Sequence, residues 1–130
     1  MLLLIDKPKG ITSHDVVDVV RRKTGERRVG HAGTLDPMAT GLLIVGVGRE
    51  FTKKLGDLTK NTRKTYEAQI TLGQRRTTDD AEGEILQDLE IQNHPEKEKI
   101  IEVVKDFEGE QKQIPPQYSA IKLHGKKHTS

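Results

Sequence analysis

The residues best suited to chemistry lie in one stretch, Gly30 to Leu43, which reads G-H-A-G-T-L-D-P-M-A-T-G-L-L. It presents a single carboxylate, Asp36, with His31 before it and an apolar run after it. Asp36-Pro37 has two readings. The pair suits a helix N-cap followed by proline at the first helical position, where the missing N–H is not needed. It also suits an active-site carboxylate, because Gly30, Gly33 and Gly41 permit tight turns and close approach of the backbone to a substrate. His31 could serve as a base, a metal ligand or a wedge against nucleic acid, or be an ordinary surface histidine. Arg27 and Arg28 stand just upstream.

Tyr66 is the second candidate. It follows Arg63-Lys64 in an alternating segment, where a half-buried strand tyrosine is one reading. The other is a stacking face for a base, with Arg63 and Lys64 on phosphate. No zinc site is expected from His14, His31, His94, His124 and His128. Gly46-Val47-Gly48 lacks the third glycine of a dinucleotide loop, and no Gly-Lys-Ser/Thr follows it. No serine sits in a nucleophile-elbow context. The absence of cysteine excludes disulfides, thiolate metal sites and cysteine nucleophiles.

Charge is unevenly distributed behind a net of +2. Residues 1–78 carry 15 Lys and Arg against 8 Asp and Glu, residues 79–110 carry 3 against 12, and residues 111–130 carry 4 against none. A basic body interrupted by one acidic segment fits a polyanionic partner such as nucleic acid, or simply a solvated surface. At 130 residues the chain is the size of one domain. Aromatics make up only 3% of it, so the core must be built from Val, Ile and Leu. No apolar run reaches the length of a membrane span. Met1 to Ile5 is too short for a signal peptide, so a soluble, cytoplasmic protein is expected.

The elements that must position these residues follow from periodicity. Leu2 to Ile5 reads as a short buried strand, and Lys7-Pro8-Lys9-Gly10 as a turn. Thr12 or Ser13 can cap a helix whose apolar face is Val16, Val17, Val19 and Val20, with Gly25 at its end. Residues 30–37 read as a loop, Leu42 to Val47 as a buried strand, and Phe51 to Leu58 as a short amphipathic helix. Thr65 to Leu72 alternates with Tyr66, Ala68, Ile70 and Leu72 on one face, as a strand would. Gln74 to Asp80 reads as an exposed loop and Glu84 to Leu86 as a strand. Pro95 opens a helix carrying Ile100, Ile101, Val104 and Phe107. Pro115-Pro116 enters an extended Tyr118–Leu123 segment. Interleaved strands and helices without a clean βαβ unit predict an α+β fold on a mixed, mostly antiparallel sheet.

Four segments together resemble the TruB family of tRNA pseudouridine synthases. Leu4-Ile5-Asp6-Lys7-Pro8-Lys9-Gly10-Ile11-Thr12-Ser13 is similar to the family's opening motif, and Gly30 to Pro37 with Gly41-Leu42-Leu43 to its catalytic-aspartate motif. Lys64-Thr65-Tyr66, with Leu72-Gly73-Gln74 and Thr78 to Gly83, resembles the third. Ile114 to Lys122, with Gly125-Lys126, resembles the fourth. The resemblance implies that Asp36 engages a T-arm uridine, tRNA position 55, while its N-glycosidic bond is cleaved and the base rejoins ribose through carbon. It implies that Tyr66 stacks on the flipped base and assists the final proton removal, and that His31 presses into the RNA. Lys7, Pro8 and Gly10 would support the floor of the site, and Lys7, Arg63 and Lys64 would belong to the RNA-binding set.

The implied partner is the tRNA T-arm stem-loop, and the implied state is a monomer. No membrane, metal or cofactor is expected, since the isomerisation conserves all atoms. In the family the catalytic domain continues further, with a strand whose arginine pairs with the aspartate, and a PUA-type domain often follows. Neither can be placed here, as no arginine follows Arg76. Residues 1–130 are therefore expected to be the N-terminal part of the catalytic domain, inactive alone. The alternative is a non-catalytic RNA-binding module or folding fragment.

Overall fold

A computed structural model of the chain describes residues 1–60 and 62–112. Its described residues fall into two units, the first Met1–Glu67 and the second beginning at Ala68.

The first unit is built on a three-stranded antiparallel sheet. Its strands are β1 (Leu2–Lys7), β2 (Val29–Ala32) and β3 (Gly41–Val47), in the order β1-β3-β2. The registers Leu3↔Val45, Ile5↔Leu43 and Val29↔Val47 place these apolar side chains on one face. Helix α1 (Ser13–Thr24) covers that face, and Val16, Val17 and Val20 join Val29, Leu43, Val45 and Val47 in a single core cluster. The cluster is aliphatic throughout, as the shortage of aromatics requires.

Helix α1 starts where the sequence offered two caps. Thr12 takes the role: its Oγ1 accepts the Asp15 N–H at 3.0 Å, and the Asp15 carboxylate accepts the Thr12 N–H at 2.7 Å. That reciprocal capping box satisfies two otherwise orphaned donors. Hydrogen bonds from Thr12 hold the Asp15 carboxyl below its ordinary pKa. Gly25 ends the helix in the left-handed conformation at φ 69°, its N–H bonding to the Arg21 carbonyl.

Helix α2 (Arg49–Lys60) lies on the opposite face of the sheet. The contact works because Gly46, the register partner of Gly30, has no side chain there. A Cβ on Gly46 would stand 3.1 Å from the Phe51 carbonyl carbon and 3.2 Å from Leu55 Cδ1. The predicted Leu42–Val47 strand and Phe51–Leu58 helix are both present, the helix with longer bounds.

In the second unit, β4 (Gln74–Arg76) and β5 (Ile85–Asp88) form an antiparallel ribbon, and α3 (Lys97–Lys105) follows with Glu96 at its N-cap. Two expectations change here. Gln74 to Arg76, read as loop, is a strand: its polar side chains give no hydrophobic signal, and only pairing with β5 reveals it. Thr65 to Leu72, read as a strand, is irregular. Alternation alone cannot make a strand, because the backbone also needs a partner ladder, and none pairs with it among the described residues. The ribbon and helix nevertheless complete an α+β architecture with antiparallel pairing throughout the described strands. The Tyr118–Leu123 segment lies outside the described residues.

Candidate active site

Asp36 caps no helix. Its carbonyl accepts the Ala39 N–H at 3.0 Å, so Asp36-Pro37-Met38-Ala39 is a β-turn with Asp first and Pro second, where both residues are favoured. Met38 does not take a positive φ, which suits the type I geometry. The turn sits in the crossing from β2 to β3, between Gly33 at φ 73° and Gly41 at φ 116°. Both values lie in the region where a side chain is strained, so the chain leaves one strand and enters the next through glycine.

The backbone on each side of Asp36 is tied down. Ser13, only 2% exposed, donates its hydroxyl to the Leu35 carbonyl at 3.0 Å and accepts the Leu35 N–H at 2.9 Å. On the other side, the Pro37 carbonyl accepts the Gly10 N–H at 2.8 Å and the Lys7 ammonium at 3.3 Å. Lys7 is completely buried at the end of β1, and its Nζ also donates to the carbonyls of Pro8 at 3.0 Å and Ile11 at 2.7 Å. A buried ammonium is tolerable only when its donors are satisfied, and here three carbonyls do so. The Lys7-Pro8-Lys9-Gly10 turn is thereby fastened to the aspartate loop.

The Asp36 side chain itself is exposed and makes no hydrogen bond or ion pair among the described residues. A rigid main chain thus carries a free carboxylate at the surface. Such a group can reach a macromolecular substrate that brings its reacting atom to it.

His31 lies in strand β2, not in a loop, because the chain pairs with β3 through Ala32. Its partner is Val45, which turns the imidazole toward the α1 side of the sheet. Burial, with a lesser contribution from His14, holds its pKa below the usual 6.5, so the ring is neutral at pH 7. Its Nδ1 is buried without a hydrogen-bond partner among the described residues.

The structure brings Lys7, Ser13 and Gly10 to the Asp36 loop. It leaves Arg63, Lys64 and Tyr66 on the exposed, irregular segment after α2, with Tyr66 71% exposed. No hydrogen bond among the described residues joins these three to Asp36. Lys7 presents no charge to solvent, so its part is to hold the loop from beneath. No helix among the described residues is long and apolar enough to cross a membrane, and no described cluster of His, Asp and Glu could hold a metal.

Sequence reasoning passed over Ser13, which it weighed only as an alternative cap. The signal was present in Thr12-Ser13-His14-Asp15: an acidic residue three after Thr12 selects Thr12 for the capping box and leaves Ser13 free.

The chain is similar to known proteins of one family. Residues 21–130 match the family model described as TruB family pseudouridylate synthase (N terminal domain). A tRNA pseudouridine synthase B of Thermobifida fusca is 52% identical over 126 residues, covering 97% of this chain and 42% of that protein. The proteins of the same name from Alkaliphilus oremlandii and Thermosipho melanesiensis are 48% and 54% identical, covering 97% and 93% of this chain and 41% and 38% of their own lengths. The chain thus spans about two fifths of the length of these curated relatives. A match over so much of its own length, with the glycine-bounded aspartate turn inside it, makes this chain a member of the TruB family of pseudouridylate synthases.

Proposed function

We propose that this chain supplies the aspartate-bearing part of a cytoplasmic tRNA pseudouridine synthase that converts a T-arm uridine to pseudouridine. The observation that carries the reading is Asp36: an exposed, unpaired carboxylate on a main chain fastened on both sides.

A uridine stacked within a folded RNA loop cannot reach this carboxylate. It must first be flipped out, at about a few kcal/mol of lost stacking. Asp36 then engages the uridine while the bond from N1 to the ribose C1′ breaks. The freed base rotates, C5 bonds to C1′, and the C5 proton is removed while N1 gains one. Tyr66, exposed on its segment, stacks against the flipped base, with Arg63 and Lys64 on phosphate. His31, neutral and part-buried, borders the space the base has left. Residues 1–130 form the N-terminal part of the catalytic domain, and turnover requires the length that the relatives carry beyond it.

The test uses this chain joined to the remaining length of the Thermobifida fusca relative, with a T-arm stem-loop tritiated at uridine C5. Tritium release is expected from the joined protein and not from the 130-residue chain alone. Asp36→Ala should lower release by a factor of about 10³ or more. Unchanged release in Asp36→Ala would sink the role given to Asp36. RNA binding with no release from any form would make the chain a binding module.

A further inference from the structure

We propose that Ser13 is a positioning residue for the Asp36 carboxylate, and that it acts through the main chain alone. The proposal rests on the catalytic reading of Asp36 given above.

A peptide unit is planar, so the Leu35 carbonyl shares a rigid plane with the Asp36 nitrogen and Cα. By holding that carbonyl at 3.0 Å, the Ser13 hydroxyl fixes the plane entering Asp36. The plane leaving Asp36 contains its own carbonyl, which the Ala39 N–H holds at 3.0 Å. With both planes set, the direction of the Cα–Cβ bond is set as well, although no hydrogen bond or ion pair among the described residues holds the carboxylate. Ser13 also accepts the Leu35 N–H at 2.9 Å, so one hydroxyl matches both polar groups of one residue, as a neighbouring strand would.

Nothing else in the fold calls for a hydroxyl at this position. Thr12 already caps α1. An apolar residue at position 13 would serve the helix equally well but leave the Leu35 N–H without this partner. The side chain is 2% exposed and bonds to a residue 22 positions away, so it is not a solvated surface serine. The role separates aim from reach: Ser13 determines where the aspartate side chain starts, and the approaching substrate determines what it meets.

The test compares single-turnover tritium release in the joined protein described above, at saturating stem-loop RNA. Ser13→Ala is expected to lower the rate by roughly 10- to 100-fold, the scale of an approximately 1 Å misplacement, with RNA affinity changed less than about twofold. Ser13→Thr, which keeps the hydroxyl, should recover most of the loss. Thr12→Ala weakens the same helix end without touching Leu35, and should lower the melting temperature but not the rate. In the 130-residue chain itself, the Leu35 amide proton should lose exchange protection in Ser13→Ala only. Should the alanine variant not fold, Ser13→Cys keeps the volume, weakens both bonds and reads the same comparison.

A rate in Ser13→Ala within about twofold of the parent, while Asp36→Ala abolishes release, overturns the positioning role and leaves the catalytic reading intact. Parallel losses in Ser13→Ala and Thr12→Ala reduce the effect to helix stability and overturn it too. Full release from Asp36→Ala removes the reading on which the proposal stands, and the proposal falls with it.

Discussion

Two residues beneath and beside the aspartate loop behave unlike their surface counterparts. Lys7 places a charge where none reaches water, balanced by the carbonyls of Pro8, Ile11 and Pro37. Lys7→Met keeps the stem and removes the donors, leaving buried acceptors unsatisfied; a loss of about 2–4 kcal/mol is expected in urea unfolding. His31 titrates in the opposite sense from a paired histidine. Its folded-state pKa lies below the unfolded value, so the unfolded chain binds the proton more readily. Stability is then complete above pH about 6.5 and falls as the pH drops below it, levelling off once the folded form is protonated as well. Unfolding midpoints at pH 7.5 and 5.5 should differ more for the parent than for His31→Gln. Asp36 stood out in the sequence through its glycines and proline. The part played by Lys7 did not, since a lysine beside a proline reads as surface, and only the folded chain gathers three carbonyls around it.

The elements show which signals a sequence carries by itself. Helix α1 was legible because its apolar spacing, cap and terminal glycine agree. The irregular 65–72 segment and strand β4 were not, because a strand is defined by what pairs with it. Asp36-Pro37 offered a cap by composition, but the chain turns back toward β3 before a helix can begin. Packing between elements gives a paired prediction on α2. Gly46→Ala pushes a Cβ against the Phe51 backbone, which cannot yield as a flexible side-chain tip would. It should cost about 1–3 kcal/mol. Gly56→Ala, in the exposed middle of α2 with open space around its Cβ position, should instead gain about 0.5–1 kcal/mol from helix propensity. Thermal or urea denaturation of the two variants reads the opposite signs directly.

Among the described residues, burial is concentrated in the first unit. Every member of the core cluster precedes Gly48, whereas in the second unit Gly83 alone is buried among the described residues. Ile100, Ile101, Val103, Val104 and Phe107 of the α3 region all remain exposed. Leu43→Ala, at a fully enclosed position of β3, should therefore cost about 2–5 kcal/mol, and Ile100→Ala less than about 0.5 kcal/mol in this chain. The excess of Lys and Arg over residues 1–78 predicts RNA affinity that falls steeply between about 50 and 200 mM salt. A filter-binding series on the stem-loop would measure the slope.

The fastening of the Asp36 turn has a consequence in time as well as in space. Every group that fixes the peptide planes beside the aspartate lies between Lys7 and Ala39, and the sheet and helix carrying those groups are complete by Val47. A growing chain released from its N-terminus can therefore assemble this corner first, since all of these contacts close within residues 1–47. The carboxylate would be aimed while the residues that follow α2 were still being synthesised.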